Sequence, residues 1–183
     1  MHMLKSEESV ILVIDPQEKL HPKIFEHERV TRNCNLLIHL AQVTGIPLVV
    51  TTQYEKGLGG IVDEIKSVLP DMGFIDKVEF GCFNNQVFAE RIKDLGSSRN
   101  TLILCGIESH ICVTQTALGA LEKGYIVHVA SDAVSSRTAW NWQIGLDRMK
   151  ESGATISSTE MIIYEILGRS DSPEFKAMLP HLR

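Results

Sequence analysis

The feature that most constrains the fold of this chain is an alternation of short β-branched apolar runs with longer amphipathic segments. The run SVILVIDP (9–16) is followed by the amphipathic stretch RVTRNCNLLIHLAQVTG (29–45) and then by IPLVVTTQ (46–53). Short runs rich in Val and Ile indicate strands, whereas apolar residues that recur every three to four positions indicate helices. This part of the chain therefore predicts the order strand, helix, strand.

The alternation continues along the rest of the chain. A glycine-rich connection comes first, and segments 57–60 and 96–99 are expected to be flexible. The further predicted elements are a strand at 74–77, a helix at 84–95, a strand at 100–107, a helix at 111–124, a strand at 125–133, a helix at 138–152, a strand at 154–158 and a helix at 159–168. Strands that are nearly continuous runs of Val, Ile and Leu are typical of a parallel sheet covered on both faces. The sequence predicts an α/β fold, a Rossmann-like three-layer α/β/α arrangement around a mostly parallel six-stranded sheet.

Length and charge limit the domain count and the class of partner. The chain has 183 residues, 44% of them hydrophobic, which favours one domain over residues 1–183. The net charge of −5 supplies no basic surface for a phosphate backbone, so we expect a small-molecule partner and no nucleic acid.

Neither a secretory signal nor a membrane span is predicted. The N-terminal MHMLKSEESV is polar where a signal peptide needs an apolar run, and no apolar stretch reaches the roughly 20 residues that cross a bilayer. The four cysteines form no CxxC pair and are expected to be free thiols in a reducing compartment. These features predict a cytoplasmic protein with no membrane partner.

Polar residues that follow predicted strands are the first candidates for a site, because ligands of parallel sheets bind at the carboxyl ends of the strands. Asp15 ends the first strand in VIDPQ, and Lys77 follows a short strand in IDKVEFGCF. Each has an ordinary alternative, since aspartate is common in turns and lysine is usually solvated.

The stretch CGIESHICV contains two cysteines with different expected roles. Cys105 lies within an apolar strand, where a thiol packs as a small hydrophobic group. Cys112 opens a predicted helix, where unpaired backbone N–H groups favour a thiolate. His110 is two positions from Cys112 and does not face it, so we expect a surface or pocket-lining residue rather than a base. The remaining histidines have no zinc-binding spacing, and we predict no metal and no cofactor.

Taken together, VIDPQ, the DKxxFxxF stretch that holds Lys77 and GIESHICV resemble the isochorismatase-like cysteine hydrolase superfamily, which includes the nicotinamidases. Their order and spacing match along nearly the whole chain. TTQYEKGLGG and the ending SSTEMIIYEILG look most like the isochorismatase-domain-containing subgroup.

The resemblance implies a catalytic triad of Asp15, Lys77 and Cys112. In that arrangement Lys77 stabilises a Cys112 thiolate and lowers its pKa, while Asp15 transfers the proton during formation and hydrolysis of a thioester. The resemblance also implies an oxyanion hole formed by the backbone N–H groups of Glu108 and Cys112, with a cis peptide bond between Ile107 and Glu108.

Two departures from the superfamily narrow the expected reaction. Nicotinamidases carry a metal-binding Asp-x-His region after the second strand, whereas this chain has no histidine between Gln42 and Ser109. True isochorismatases lack the nucleophilic cysteine that is present here. The resemblance therefore implies a metal-independent hydrolase of an amide or related C–N bond in an unidentified small molecule, and a homo-oligomer.

Candidate substrate-binding residues are Gln53, Tyr54, Phe80 and Glu108, each with loop packing or helix capping as the alternative. Trp140 and Trp142 are candidates for a pocket, a subunit interface or the core. Two other functions stay open. The chain could be a catalytically idle partner-binding scaffold, or a thiol redox sensor that uses Cys112.

Overall fold

A computed structural model describes residues 3–182 of the chain. Within this range a single sheet contains six strands, whose bounds are β1 (Ser9–Ile14), β2 (Leu48–Gln53), β3 (Ile75–Lys77), β4 (Thr101–Ile107), β5 (Ile126–Ser135) and β6 (Thr155–Ser157). Their order across the sheet is β3-β2-β1-β4-β5-β6, and every neighbouring pair is parallel. The expected α/β fold is confirmed.

The helices cover both faces of the sheet. Their bounds are α1 (His27–Thr44), α2 (Glu55–Leu58), α3 (Asp63–Lys66), α4 (Gln86–Asp94), α5 (Thr114–Glu122), α6 (Ala139–Glu151), α7 (Thr159–Leu167) and α8 (Pro173–Met178). Helices α1, α3, α7 and α8 pack in one apolar cluster with residues from one sheet face, and α4, α5 and α6 pack in a second cluster with residues from the other. Burial on both faces explains why the central strands are apolar at nearly every position.

From β1 the chain adds β2 and β3 on one side of the sheet and then β4, β5 and β6 on the other. Ligands of such sheets bind in the crevice where the two halves meet, here at the carboxyl ends of β1 and β4. Gly106 in β4 makes this edge compact. Its φ is 109°, and a Cβ atom there would lie 2.1 Å from the carbonyl oxygen of Ile14. Only glycine fits this conformation and this close approach, which brings the end of β4 against the residue before Asp15.

Some boundaries differ from those expected. The predicted helix at 111–124 begins with one π-helical turn, Ser109–Val113, before α5, because the carbonyl oxygen of Glu108 accepts from the N–H groups of both Ile111 and Val113. Strand β5 extends to Ser135, since its pairing with β4 shifts register between Leu104 and Gly106.

Segment 57–60, expected to be flexible, is tied to the sheet edge. Gln17 Nε2 donates to the carbonyl oxygen of Gly59 at 2.7 Å, and the N–H of Glu18 donates to that of Gly60 at 3.0 Å. The short helices α2, α3 and α8 were not predicted, because four to six residues are too few to show helical periodicity.

Candidate active site

The structure brings Asp15 and Lys77 together from two strand ends. Asp15 follows β1 immediately before Pro16, which cannot continue the strand ladder, and Lys77 is the last residue of β3. The Lys77 ammonium Nζ lies 2.6 Å from Asp15 Oδ2, and both side chains are buried. Burial alone lowers the pKa of Lys77, but the Asp15 carboxylate reverses this effect and holds the pKa above its ordinary value. Lys77 is therefore a fixed cation beside Asp15.

A threonine holds the other oxygen of the Asp15 carboxylate. Thr51 Oγ1 donates to Asp15 Oδ1 at 2.7 Å, and the Asp15 N–H donates to the Thr51 carbonyl oxygen at 3.1 Å. Thr51 pairs with Ile14 across β2 and β1, so sheet register places it beside the aspartate. Sequence reasoning missed this residue, because a threonine inside an apolar strand carries no motif.

Cys112 completes this group from the π-helical turn after β4. Its thiol lies close enough to the Asp15 carboxylate and the Lys77 ammonium for both charges to shift its pKa. Cys112 is 7% exposed, compared with 1% for Asp15 and for Lys77, so it is the least buried of the three residues. The three residues named from the sequence thus meet at one point.

The lowered thiol pKa expected for Cys112 is not what this geometry produces. Burial raises the pKa of the Cys112 thiol well above its ordinary value, and the Asp15 carboxylate raises it further, while Lys77 opposes both effects. The sequence-based expectation considered the effects of Lys77 and of the helix start on the Cys112 pKa. It did not include the burial of the thiol or the Asp15 carboxylate beside it. The raised pKa favours the neutral thiol over the thiolate at Cys112.

Two glutamines support the lysine. Gln53 Oε1 accepts from Lys77 Nζ at 2.9 Å, and its Nε2 donates to the Val78 carbonyl oxygen at 2.9 Å. Gln17 in turn accepts from the Gln53 N–H at 2.7 Å and donates to its carbonyl oxygen at 3.1 Å. The Gln53 side chain is therefore occupied in holding Lys77. Gln17 lies in the VIDPQ stretch, which is the signal that could have revealed it.

Tyr54 and Phe80 lie on the chain beside this buried group. The Tyr54 N–H donates to the Lys77 carbonyl oxygen at 2.8 Å, and Phe80 lies three residues after Lys77. The two residues are 52% and 55% exposed, so both are available to a ligand or to a second chain. Their role in substrate binding stays a prediction.

Glu108 precedes the π-helical turn and is bound by an arginine. The peptide bond before it, from Ile107, is cis, as the resemblance implied. The buried Glu108 carboxylate accepts from the backbone N–H of Arg137 at 2.9 Å and from Arg137 Nε at 3.1 and 3.2 Å. Its side chain caps no helix. Arg137 carried no sequence signal, because its importance depends on the strand pairing that places it beside Glu108.

The turn that carries Cys112 is also hydrogen-bonded to the loop after β5 and to α6, where Ser109 Oγ donates to the Trp142 carbonyl oxygen at 3.1 Å. Ser136 Oγ lies 3.0 Å from Ser109 Oγ and 2.9 Å from His110 Nδ1, so His110 contacts the loop after β5 and is no base for the thiol. Gly145 permits the close approach of α6, because a Cβ atom there would lie 2.8 Å from the Ser109 carbonyl carbon.

The remaining aromatic and thiol candidates divide between core and surface. Trp142 is anchored by a hydrogen bond from its Nε1 to the Ser131 carbonyl oxygen at 3.1 Å and by Arg29, 4.7 Å above the ring. Trp140, in contrast, is exposed. Cys105 is fully buried, and the neighbouring Cys34 thiol and its own burial raise its pKa, as suits a packing residue.

No group of three His, Cys, Asp or Glu side chains within residues 3–182 is arranged to bind a metal ion. In the same range, no helix combines the length and the apolar character that crossing a bilayer requires.

The sequence pattern of the Isochorismatase domain family matches residues 9–161, most of the chain and every residue of the group around Asp15. The chain belongs to this family. A secreted isochorismatase effector, Isc1, from Phytophthora sojae is 40% identical over 173 residues, which cover 93% of this chain and 82% of the relative. Isochorismatase domain-containing protein 2 from Danio rerio is 34% identical, with 94% and 86% covered. The expected family and subgroup resemblance is confirmed.

Solved structures of isochorismatase-like proteins share the fold. The MAR1 ribonuclease from Caenorhabditis elegans superposes with a TM-score of 0.91 at 33% identity, covering 99% of this chain and 92% of that chain. The YcaC gene product from Escherichia coli, described as an octameric hydrolase of unknown specificity, superposes with a TM-score of 0.89 at 25% identity, covering 98% and 92%. The isochorismatase-family hydrolase fold is therefore shared with proteins of different described activity.

Proposed function

We propose that this isochorismatase-family protein is a metal-independent cysteine hydrolase that cleaves an amide or related C–N bond of a small molecule through a thioester. One observation carries the proposal. The Cys112 thiol lies close enough to a buried Asp15 carboxylate for that charge to raise its pKa, and the two oxygens of the carboxylate accept from Lys77 and Thr51. A nucleophile, a base beside it and groups that orient the base are the parts that covalent acyl transfer requires.

The first half-reaction follows from the protonation states at rest. Because the pKa of Cys112 is raised, the thiol gives its proton to Asp15 only as sulfur attacks the substrate carbonyl carbon. The new C–S bond makes a tetrahedral oxyanion, for which the backbone N–H groups of Glu108 and Cys112 are the proposed donors. When the C–N bond breaks, Asp15 passes the proton to the leaving nitrogen, and a neutral amine and a thioester on Cys112 remain.

The second half-reaction reverses the role of Asp15. Its carboxylate takes a proton from water as the water oxygen attacks the thioester carbon, and the C–S bond then breaks. The proton returns to the sulfur, so the products are a carboxylic acid and the original thiol. Lys77 keeps its proton throughout and stabilises negative charge on whichever of Asp15 or Cys112 carries it.

Charge supports a small substrate. One fold relative is described as a ribonuclease, but the net charge of −5 here disfavours binding of a phosphate backbone.

An octameric relative and the exposed Tyr54, Phe80 and Trp140 side chains support a homo-oligomer. The cytoplasmic location stays a prediction, because the name of one relative describes a secreted effector.

The proposal is tested by incubating the protein with a panel of small amides and measuring released ammonia or amine. Intact-mass spectrometry after rapid acid quenching then identifies an acyl adduct and its position. We expect turnover of at least one amide, an adduct on Cys112, and loss of both in Cys112→Ala.

The matched control is Cys34→Ala, which removes a buried thiol in the opposite layer of the fold and should retain turnover. Amide hydrolysis that survives Cys112→Ala would contradict the mechanism. Peroxide consumption by Cys112 that persists in Asp15→Asn, with no amide turned over, would instead identify a redox sensor.

A further inference from the structure

A cavity of about 500 Å³ lies at the edge of the sheet opposite to Cys112. Strands β4, β5 and β6 begin at this edge with Thr101, Ile126 and Thr155, each of which lines the cavity. Segment 3–8, which leads into β1, supplies another part of the wall. Because all six strands are parallel, the cavity is at their amino ends and the candidate active site is at their carboxyl ends. Its volume is within the roughly 300–1,000 Å³ that is usual for small-molecule sites.

His128 is a polar side chain buried at this cavity without a hydrogen-bond partner. The residue lines the cavity and is only 6% exposed. Its neighbours Val127 and Val129 pack in the cluster of α4, α5 and α6, so the imidazole projects from the other face of the sheet. Among residues 3–182 neither ring nitrogen is hydrogen-bonded, and of the two only Nδ1 is enclosed. Nε2 is therefore the nitrogen that a molecule in the cavity can reach. Buried polar groups are nearly always paired, so His128 has hydrogen-bonding capacity that the described protein leaves unused.

The charges around the cavity favour an uncharged ligand. Burial lowers the pKa of His128, although the nearby Glu165 carboxylate opposes this effect, so the imidazole is neutral at neutral pH. Glu165 Oε2 itself accepts from the Leu4 N–H at 3.2 Å. On the wall, Lys5 Nζ donates to Glu8 Oε1 at 2.8 Å, so these two charges neutralise each other. A ligand ion would lose hydration without meeting an unpaired opposite charge among the described residues that line the cavity.

Apolar side chains form another part of the wall. Leu4 is buried in the core, and Met3 and Ile126 are largely exposed although both line the cavity. The Thr101 hydroxyl is already used, since Oγ1 donates to Asn100 Oδ1 at 3.1 Å. Apolar surface beside one free hydrogen-bonding ring is typical of a site for a ligand with an apolar body and one polar group.

We propose that this cavity binds a small uncharged alcohol or phenol, whose hydroxyl group hydrogen-bonds to His128 Nε2 and whose apolar body packs on Leu4 and Ile126. A hydroxyl group suits this ring because it both donates and accepts, and a neutral imidazole has one donor nitrogen and one acceptor nitrogen. The inference does not rest on the hydrolase function proposed above, because the two sites lie at opposite ends of the strands.

The test is an NMR titration of the isotope-labelled full chain with two matched pairs of probes. One pair is phenol and fluorobenzene, and a longer pair is 2-phenylethanol and (2-fluoroethyl)benzene. In each pair fluorine replaces the hydroxyl group with little change in size and loses most of its hydrogen bonding. The amide resonances of Thr101, Ile126 and Thr155 report binding at the cavity, and the amide resonance of Cys112 reports binding at the candidate active site.

We expect at least one hydroxyl probe to shift the cavity resonances with a Kd of about 1 mM, as suits a ligand with so few atoms. Its fluorinated partner should bind about fivefold more weakly, the scale of one net hydrogen bond. His128→Phe keeps an aromatic ring without nitrogens and should bind both members of the pair equally. The matched control is His39→Phe, which removes a histidine of α1 that is stacked on His181 and does not line the cavity. It should keep the wild-type preference.

Ile126→Ala tests the apolar contact at an exposed position, where the substitution leaves the buried core intact. Both members of a pair should bind more weakly to this variant, because each loses the same apolar contact. The preference for the hydroxyl probe should not change, since His128 is still present.

A preference in His128→Phe equal to that of the wild type would overturn the inference. So would shifts confined to the carboxyl edge of the sheet, or no shift with either hydroxyl probe, in which case the cavity holds water only. Because each preference is a ratio within one variant, partial unfolding affects both probes alike and does not imitate the effect. The titration does not require the Cys112 thiol, so its result stands whether or not an amide is hydrolysed.

Discussion

The ammonium of Lys77 and the carboxylate of Asp15 form a buried ion pair of 2.6 Å that joins the ends of β3 and β1. Two charges removed from water are costly unless each is paired and hydrogen-bonded, and Thr51 and Gln53 supply the additional bonds. The pair therefore holds the ends of β1 and β3 together. Neither residue can be replaced alone by a neutral one without leaving the other as an unpaired buried charge.

Lys77→Met should lower both stability and activity. The substitution keeps a long apolar stem but leaves the Asp15 carboxylate buried without its cation, which costs about 3 kcal/mol of unfolding free energy. Urea denaturation followed by circular dichroism measures this loss. The double variant Lys77→Met with Asp15→Asn removes both charges and should recover part of the stability while staying inactive. A single variant as stable as the wild type would show that the pair is not buried in solution.

The titration of Cys112 should respond to its two charged neighbours in opposite directions. Iodoacetamide labelling of wild-type Cys112 should give an apparent pKa above that of a free thiol, because burial and Asp15 both disfavour the thiolate. Asp15→Asn should lower this pKa and speed labelling at neutral pH, and Lys77→Met should raise it. Amide turnover should nevertheless be lost in Asp15→Asn. A wild-type value below that of free cysteine would contradict the geometry described here.

Thr51→Val should reduce turnover by about tenfold or more, because Asp15 Oδ1 loses its donor while the shape of the side chain is kept. Thr52→Val is the matched control on the same strand. Thr52 Oγ1 donates to Asp76 Oδ1 at 2.9 Å, away from the nucleophile, so its loss should affect stability and leave turnover intact. Steady-state kinetics on any amide found by the screen distinguishes the two. Equal losses in both variants would show that the effect is structural.

His21 should make the fold sensitive to acid. Burial, together with neighbouring His27, lowers the pKa of His21 to about 4. The unfolded chain binds a proton at His21 below pH 6.5 while the folded chain does not. The associated stability is therefore fully present above pH 6.5 and falls as the pH drops towards 4, by about 3 kcal/mol in all.

Urea midpoints measured between pH 7 and pH 4 test this slope. His21→Gln cannot titrate and should show a shallower decline than the wild type over the same interval. Its glutamine amide can still approach Thr31, which lies 2.7 Å from His21 Nε2. Parallel declines in the two proteins would assign the acid sensitivity to other groups.

Gly106→Ala should prevent normal folding, because the added Cβ atom collides with the Ile14 backbone and the φ of 109° is unfavourable for alanine. Gly124→Ala is the control, since Gly124 also has a positive φ, of 83°, but no atom lies within 4 Å of an added Cβ. This control should lose only about 1 kcal/mol of unfolding free energy. Soluble yield and thermal melting separate the two effects, and similar melting temperatures would contradict the role of the close approach.

Much of the fold and the outline of the site could be predicted from the sequence. Continuous runs of Val, Ile and Leu determine strands buried on both faces, and a parallel sheet follows because its crossover helices cover both sides. VIDPQ, IDKVEFGCF and GIESHICV each lie at a strand end, so the topology brings Asp15, Lys77 and Cys112 to one edge. Gln53 was also named from the sequence, but as a ligand contact rather than as the holder of Lys77.

Other features were decided only by the tertiary structure, because they depend on residues distant in sequence. Thr51 reaches Asp15 through the register of β2 on β1, and Arg137 reaches Glu108 through the pairing of β5 with β4. The pKa of Cys112 depends on burial and on the distance to two charges, neither of which a local motif contains. The sequence by itself determined which groups are present and at which edge of the sheet they lie. Tertiary packing decided how they are paired, and therefore that burial and a neighbouring anion raise the pKa of the Cys112 thiol.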